Sequence, residues 1–139
     1  MKYFFDLRQQ VTLYPHVKDF LAAASARLPL GILTNGNADV KKIGIDKFFK
    51  CHFTSLDVKS NKPSSKHFKK AVEFFDVLPE EILHVGDDKI ADISGCIRAG
   101  LNPLWFNNKS NEWDLDLEEP PQISSWENAL EYIEQNYEF

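Results

Sequence analysis

Cysteine is scarce: Cys51 and Cys96 are the two in 139 residues. They have neither the spacing of metal ligands nor the density of a disulfide framework, so two reduced, mostly buried thiols are expected. Long apolar runs are missing as well. No stretch approaches the ~20 residues that cross a bilayer, and the first residues lack the apolar core of a secretory signal. No membrane partner is expected, and a cytoplasmic location is the default. Clustered positive charge is also lacking, since 16 Lys and Arg face 21 Asp and Glu for a net charge of −5. Nucleic acid is therefore not an expected partner, because phosphate backbones demand grouped Lys and Arg. Lys41-Lys42 and Lys69-Lys70 read as solvated helix faces. His16, His52, His67 and His84 include no pair at zinc-ligand spacing and read as core or surface residues.

What is present suffices for one folded domain with one core: 43% hydrophobic and 27% charged residues are ordinary for a soluble globular chain. No internal repeat or second domain is visible. From Tyr14 onward helices alternate with short apolar strands, the arrangement of a parallel sheet covered on its faces. Val17, Phe20, Leu21, Ala24 and Leu28 mark a helix over about residues 16–27 that stops before Pro29. Residues 30–34 form a buried strand, 37–43 a short helix stopped by Gly44, and 52–55 a second strand. Ser64 or Ser65 caps a helix whose stripe is Phe68, Ala71, Val72 and Phe75. Strand 82–85 follows, then a helical stripe of Ile90, Ile93, Cys96 and Ile97 before Gly100. A strand at 101–106 leads into a polar, acidic surface loop over 107–121. Ser124-x-x-Glu127 matches a capping box for a last amphipathic helix carrying Trp126, Leu130, Ile133 and Tyr137.

Chemistry concentrates in three segments. The run from Ile82 to Asp92 is an apolar strand that ends at Gly86-Asp87, with Asp88 and Asp92 close behind. Carboxylates so close repel one another without a cation, and their oxygens suit a hard divalent ion. The alternative is that they only favour a helix N-terminus, worth roughly 0.3 to 1 kcal/mol each. Ile32-Leu33-Thr34-Asn35-Gly36-Asn37 ends another strand in hydroxyl and amide groups. Thr34 can donate to a phosphate oxygen and the amides of Asn35 and Gly36 can add donors, or Thr34 or Asn37 simply caps a helix. Ligands of open α/β sheets bind beyond the carboxyl ends of the strands, so Thr34 and Asp87 should face one crevice. In Asn61-Lys62-Pro63 the proline keeps Lys62 extended, which lets it reach inward from the loop; otherwise it is an unremarkable surface lysine.

In order and rough spacing these segments resemble the second, third and fourth motifs of the haloacid dehalogenase-like phosphohydrolases. Thr34, Lys62 and Asp87 fall on the motif positions, and nearly the whole chain is covered. Leu33-Thr34-Asn35-Gly36-Asn37 and His84-Val85-Gly86-Asp87-Asp88 look most like the branch containing flavin mononucleotide and pyrimidine nucleotide phosphatases. The resemblance implies an α/β, Rossmann-like three-layer core with a parallel sheet over residues 14–139. It also implies hydrolysis of a small phosphorylated substrate through an aspartyl-phosphate. Asp87, with Asp88 sharing the work or capping the helix, would hold Mg²⁺. Thr34, Asn35, Gly36 and Lys62 would bind the phosphoryl group. Asp92 would hold Lys62 or a metal-bound water.

The family's first motif, Asp-x-Asp-x-Thr/Val, which supplies the nucleophile and a neighbouring acid, has no counterpart in the sequence. A core lacking the family's first strand and its cap is therefore expected, as the C-terminal portion of a larger protein, with Mg²⁺ weakly bound or absent. Residues 1–13 read either as a remnant of a cap helix, in keeping with hydrophilic Arg8-Gln9-Gln10, or as a replacement strand at Lys2 to Phe5. In the second case Asp6 stands near the crevice with Arg8 in the second acid's place, and turnover should still be very poor. The strands ending at Thr34 and Asp87 would pair directly, be separated by residues 2–6, or receive a strand from a second copy or another chain. Two functions follow: a phosphatase-type hydrolase with an incomplete site, or a non-catalytic binding or assembly module derived from one.

Overall fold

The computed structural model describes residues 2–5, 15–35 and 44–137, with residues 2–5 described as backbone. The helix expected at 37–43, Gly36, Asn37, Asp6 and Arg8 lie outside the described residues. Six described strands, all parallel, form one sheet: β1 Lys2–Phe5, β2 Leu30–Leu33, β3 Cys51–Phe53, β4 Ile82–Gly86, β5 Asn102–Phe106 and β6 Gln122–Ile123. Their order is β3-β2-β1-β4-β5-β6. The sheet is wound outward both ways from the boundary between β1 and β4, and at such a switch point a crevice opens beyond the strand ends.

β1 corrects the cap-helix reading at residues 2–5. Phe5 pairs with Ile32 of β2 on one side and Val85 of β4 on the other. The sheet position where a missing strand is expected is thus filled by this chain, and β2 and β4 do not pair with each other. Tyr3, Phe4 and Phe5 are good strand formers, and both edges of this short segment find partners.

Alternation along the strands divides the core into two layers. On one face α1, Val17–Ser25, and α5, Ala129–Asn136, bring Phe20, Leu21, Ala24 and Ile133 onto Leu30, Ile32, Leu83, Val85 and Leu104. On the other, α3, Lys66–Phe75, and α4, Gly95–Arg98, bring Phe68, Ala71 and Cys96 onto Leu33 and Ile82. This is the three-layer α/β architecture read from the sequence.

Four local details depart from expectation or settle a choice it left open. A short helix α2, Ser55–Val58, follows β3 and is opened by a reciprocal cap in which Asp57 N–H donates to Thr54 Oγ1 and Thr54 N–H to Asp57 Oδ2. Of Ser64 and Ser65, it is not Ser65 that caps α3 with its side chain; Ser64 Oγ accepts the Lys66 N–H at 3.4 Å. The last helix begins at Ala129 rather than near Ser124, because residues 122–123 are drawn into β6 and Asn107 N–H bonds the Ile123 carbonyl at 2.7 Å. The Ser124-x-x-Glu127 box does not form; the Glu127 N–H goes to Ser125 Oγ instead. Finally, the chain winds widely over Lys89–Ser94, with Ile93 N–H reaching the Asp88 carbonyl five residues back, a π-type turn. Ile90 is carried off the apolar stripe and is 49% exposed.

Candidate active site

β2 ends in a backbone held from two sides. Thr34, buried, donates its N–H to the Phe53 carbonyl at 3.0 Å, and its own carbonyl contacts His67 Nε2 at 2.9 Å. The Asn35 side chain then grips the peptide of Lys62: Oδ1 accepts the Lys62 N–H at 2.6 Å and Nδ2 donates to the Lys62 carbonyl at 3.1 Å. A primary amide carries one acceptor and one donor group side by side, the complement of the N–H and C=O of a single residue on one edge of the backbone. Ser55 Oγ, at the start of α2, donates to the Asn35 carbonyl and closes this corner.

Lys62, which precedes α3 across a cis peptide to Pro63, is no surface lysine. Its side chain is fully buried, and Nζ donates to Asp92 Oδ1 at 2.6 Å and to the Leu33 carbonyl at 3.1 Å. Asp92 is buried to the same degree. Its Oδ1 also lies 3.1 Å from His84 Nε2, and its Oδ2 accepts the Asp88 N–H at 3.1 Å. Gly86 makes room for this carboxylate. A Cβ there would fall 2.4 Å from Asp92 Cγ and 2.6 Å from Oδ2, so no other residue fits while Asp92 stays in place.

Beyond β4, Asp87 is half-buried and its carbonyl accepts Trp105 Nε1–H at 3.1 Å. Asp88 is the helix cap among the roles open to it: Oδ1 accepts the N–H groups of Ile90 and Ala91 at 2.9 and 2.8 Å. Lys89 ties the acidic loop to this turn, donating to the Glu112 carbonyl and to Asp114 Oδ1 at 2.7 Å. That pairing holds the Asp114 carboxyl below the usual carboxylate range. Trp113 of the same loop packs edge-on against Trp105, centroids 5.6 Å apart.

Direct contacts therefore join Asn35, Lys62, Asp92 and the Asp88 backbone, with Thr34 next to Asn35 and Asp87 next to Asp88. β1 separates the two strand ends by two strand spacings, ~10 Å. Gly36 lies outside the described residues. Three contributors went unread in the sequence. His84 and His67 are fully buried with polar partners, and Ser55 supports Asn35. No sequence signal marks His84: it shares a strand face with Gly86, but that Asp92 packs on this face is seen only in the fold. Burial, and next the charge of Asp92, push the Cys96 thiol far up, so it behaves as a core residue.

The donor set limits what cation could be held. Among the described residues no group of three or more His, Cys, Asp and Glu side chains is arranged around a metal position. Asp92 has both oxygens taken by Lys62, His84 and the Asp88 N–H, so the carboxylates at the strand end to weigh as oxygen ligands are Asp87 and Asp88. That fits Mg²⁺, which commonly binds through one or two carboxylates and completes its shell with water and substrate phosphate. It does not fit an all-protein calcium or zinc cage.

The chain is similar to proteins already known. Residues 2–106 match the haloacid dehalogenase-like hydrolase family. The chain is 31% identical over 114 residues to the 5-amino-6-(5-phospho-D-ribitylamino)uracil phosphatase YigB of Escherichia coli (strain K12), over 79% of this chain and 48% of that protein. It superposes on a 2-haloacid dehalogenase from Pseudomonas syringae pv. Tomato DC3000 with a TM-score of 0.85 at 30% identity, covering 91% of this chain and 55% of the other. With the magnesium-bound putative HAD-hydrolase YfnB of Bacillus subtilis the TM-score is 0.76 at 26% identity, over 88% and 55%. The chain thus spans about half the length of these three proteins. On the strength of the match over residues 2–106, it belongs to the haloacid dehalogenase-like hydrolase family.

Proposed function

We propose that this chain carries the phosphoryl-binding, charge-neutralising half of a magnesium-dependent phosphate-monoester hydrolase that acts on a small phosphorylated substrate through an aspartyl-phosphate. The observation that carries the reading is the buried Lys62–Asp92 pair at the carboxyl edge of the sheet, with Asn35 gripping the lysine's peptide. Taking an ammonium and a carboxylate out of water costs several kcal/mol per ion, and an apolar pair of the same volume is often as stable. A buried lysine at a strand-end crevice is therefore better explained by what its charge does there than by stability. The phosphatase among the relatives and the magnesium-bound neighbour favour the same reading.

In this reading Asp87, with Asp88 beside it, would hold Mg²⁺. When bound, the ion would polarise the phosphoryl oxygens and offset their charge. Lys62 supplies a second positive charge, kept in one place by Asp92 and the Leu33 carbonyl, so little reorganisation is needed as charge develops. Thr34 presents a hydroxyl donor from a backbone fixed by Phe53 and His67. The backbone amide of Asn35, next in sequence, would add a donor to that hydroxyl. The sequence has no Asp-x-Asp-x-Thr run to supply the family's nucleophile and acid. Asp6 is the next residue in sequence after β1, and Arg8 stands where the second acid would be. An arginine cannot protonate a leaving group, so turnover by this chain is expected to be weak.

Hydrolysis of a generic aryl phosphate and of flavin mononucleotide, measured with and without Mg²⁺, tests the reading together with orthophosphate titration. Activity or phosphate binding that is lost in Asp87→Asn and Lys62→Met supports it. Neither hydrolysis nor Lys62-dependent phosphate binding at any Mg²⁺ level would leave a non-catalytic binding or assembly module.

A further inference from the structure

We infer that His84 is a positioning residue for Lys62, acting through Asp92; the inference rests on the proposal that Lys62 serves the phosphoryl group. His84 lies in the middle of β4 on the face covered by α3 and α4, and it is completely buried. The Phe68 ring of α3 meets its imidazole edge-on, centroids 5.1 Å apart at 89°, which sets the plane of the ring. Within that plane Nε2 lies 3.1 Å from Asp92 Oδ1, the oxygen that also receives Lys62 Nζ at 2.6 Å. A carboxylate oxygen only accepts, so Nε2 must carry the proton.

Packing alone does not account for this contact. An apolar side chain could fill the space against Phe68, but only a donor can occupy the second lone pair of Oδ1. The carboxylate torsion of an aspartate is soft, and here three donors hold it: the imidazole, the ammonium and the Asp88 N–H on Oδ2. Without the imidazole, Oδ1 loses one of two donors in a dry site and the carboxylate can swing about its remaining anchors. The ammonium is bonded to that same oxygen at 2.6 Å, so a carboxylate that swings carries this contact with it. His84 thereby fixes where the positive charge stands relative to the crevice, without itself reaching a substrate.

Two measurements on the full chain test this. In the wild-type protein, ¹⁵N-histidine NMR should find the His84 proton on Nε2; a neutral imidazole protonated on Nδ1, with Nε2 bare, overturns the inference without any variant. In protein labelled at the lysine side chain, His84→Gln, which keeps an amide donor, should leave the Lys62 resonance near its wild-type position. His84→Leu should move that resonance and weaken orthophosphate binding by roughly tenfold or more, the usual cost of a hydrogen bond to a charged group. A folded His84→Leu protein with an unchanged Lys62 resonance and unchanged binding refutes the role. If the wild-type chain binds no phosphate, the proposed function falls, while the tautomer and the Lys62 resonance still decide whether His84 positions the lysine.

Discussion

Gly86→Ala adds one methyl group where β4 ends. By strand preference alone the change should help, since alanine is favoured over glycine in an element interior by roughly 0.5–1 kcal/mol. The surroundings reverse the sign. The new Cβ would stand 2.4 Å from Asp92 Cγ, 2.5 Å from its Cβ and 2.6 Å from Oδ2, whereas carbon atoms rest at about 3.5–4.0 Å. Relief requires Asp92 to retreat by about 1 Å, beyond the reach of three hydrogen bonds, from Lys62, His84 and the Asp88 N–H. Separating a buried ion pair typically costs about 3–5 kcal/mol, a large share of the roughly 5–15 kcal/mol that holds a domain together. Urea unfolding followed by tryptophan fluorescence measures the loss. With a slope of roughly 1–3 kcal/mol per molar urea, the midpoint should fall by about 1 M or more. A midpoint at or above that of the wild type would mean that Asp92 has room to spare and that its contacts do not depend on the bare glycine.

Other outcomes follow from the same geometry. Asp92→Asn should destabilise by about 3–5 kcal/mol by leaving the Lys62 ammonium without its counter-charge, and the double change Lys62→Met with Asp92→Leu should recover most of that loss in a urea-melt cycle. Burial raises the Cys51 thiol to about 12, above its ordinary range, and raises Cys96 further. Both should therefore resist iodoacetamide at pH 8 until urea unfolds the chain. Because the folded form keeps these protons longer than the unfolded one, stability should decline as pH climbs from about 9 toward 12. Thr54→Ala should cost about 1 kcal/mol by removing the cap of α2. Hydrogen bonding from the Thr54 N–H holds the Asp57 carboxyl low, so its contribution is present above the ordinary carboxylate range and lost as pH falls through it. Asp57→Asn should accordingly flatten the acid limb of the pH–stability curve.

The layered fold was legible because β2, β4 and β5 are apolar runs separated by helical stripes, a pattern that admits few arrangements other than a covered parallel sheet. What escaped was decided by partners distant in sequence. β1 is four residues long and followed by Arg8-Gln9-Gln10, and nothing local distinguishes a central strand from a fraying helix end. Its strand character comes from β2 and β4, which begin about 30 and 80 residues later in the chain. β6 has two residues, too few for any periodicity, yet its pairing with β5 overrides the capping signal at Ser124 and delays α5 to Ala129. Ile90 fits an α-helical stripe by count and leaves it because the turn there is wider than 3.6 residues.

The site divides along the same line. Thr34 and Asp87 were visible because each is a polar residue placed just where an apolar strand ends, which is local, and Lys62 and Asp92 because they follow these strands in motif order. His84 was invisible for the opposite reason: inside an apolar strand, a histidine among methyl groups and a histidine against a carboxylate have the same neighbours in sequence. What distinguishes them is the course of residues 87–92, which turn back over the end of β4 so that Asp92 returns to the strand face carrying His84 and Gly86. The wide turn that misplaced Ile90 is also the turn that delivers Asp92. A tighter winding would rotate residue 92 by a fraction of a turn, and the buried lysine would then face a strand with no carboxylate to meet it. The irregular segment and the ion pair are thus one feature, and substitutions that regularise the turn should disturb Lys62 as surely as substitutions of Asp92 itself.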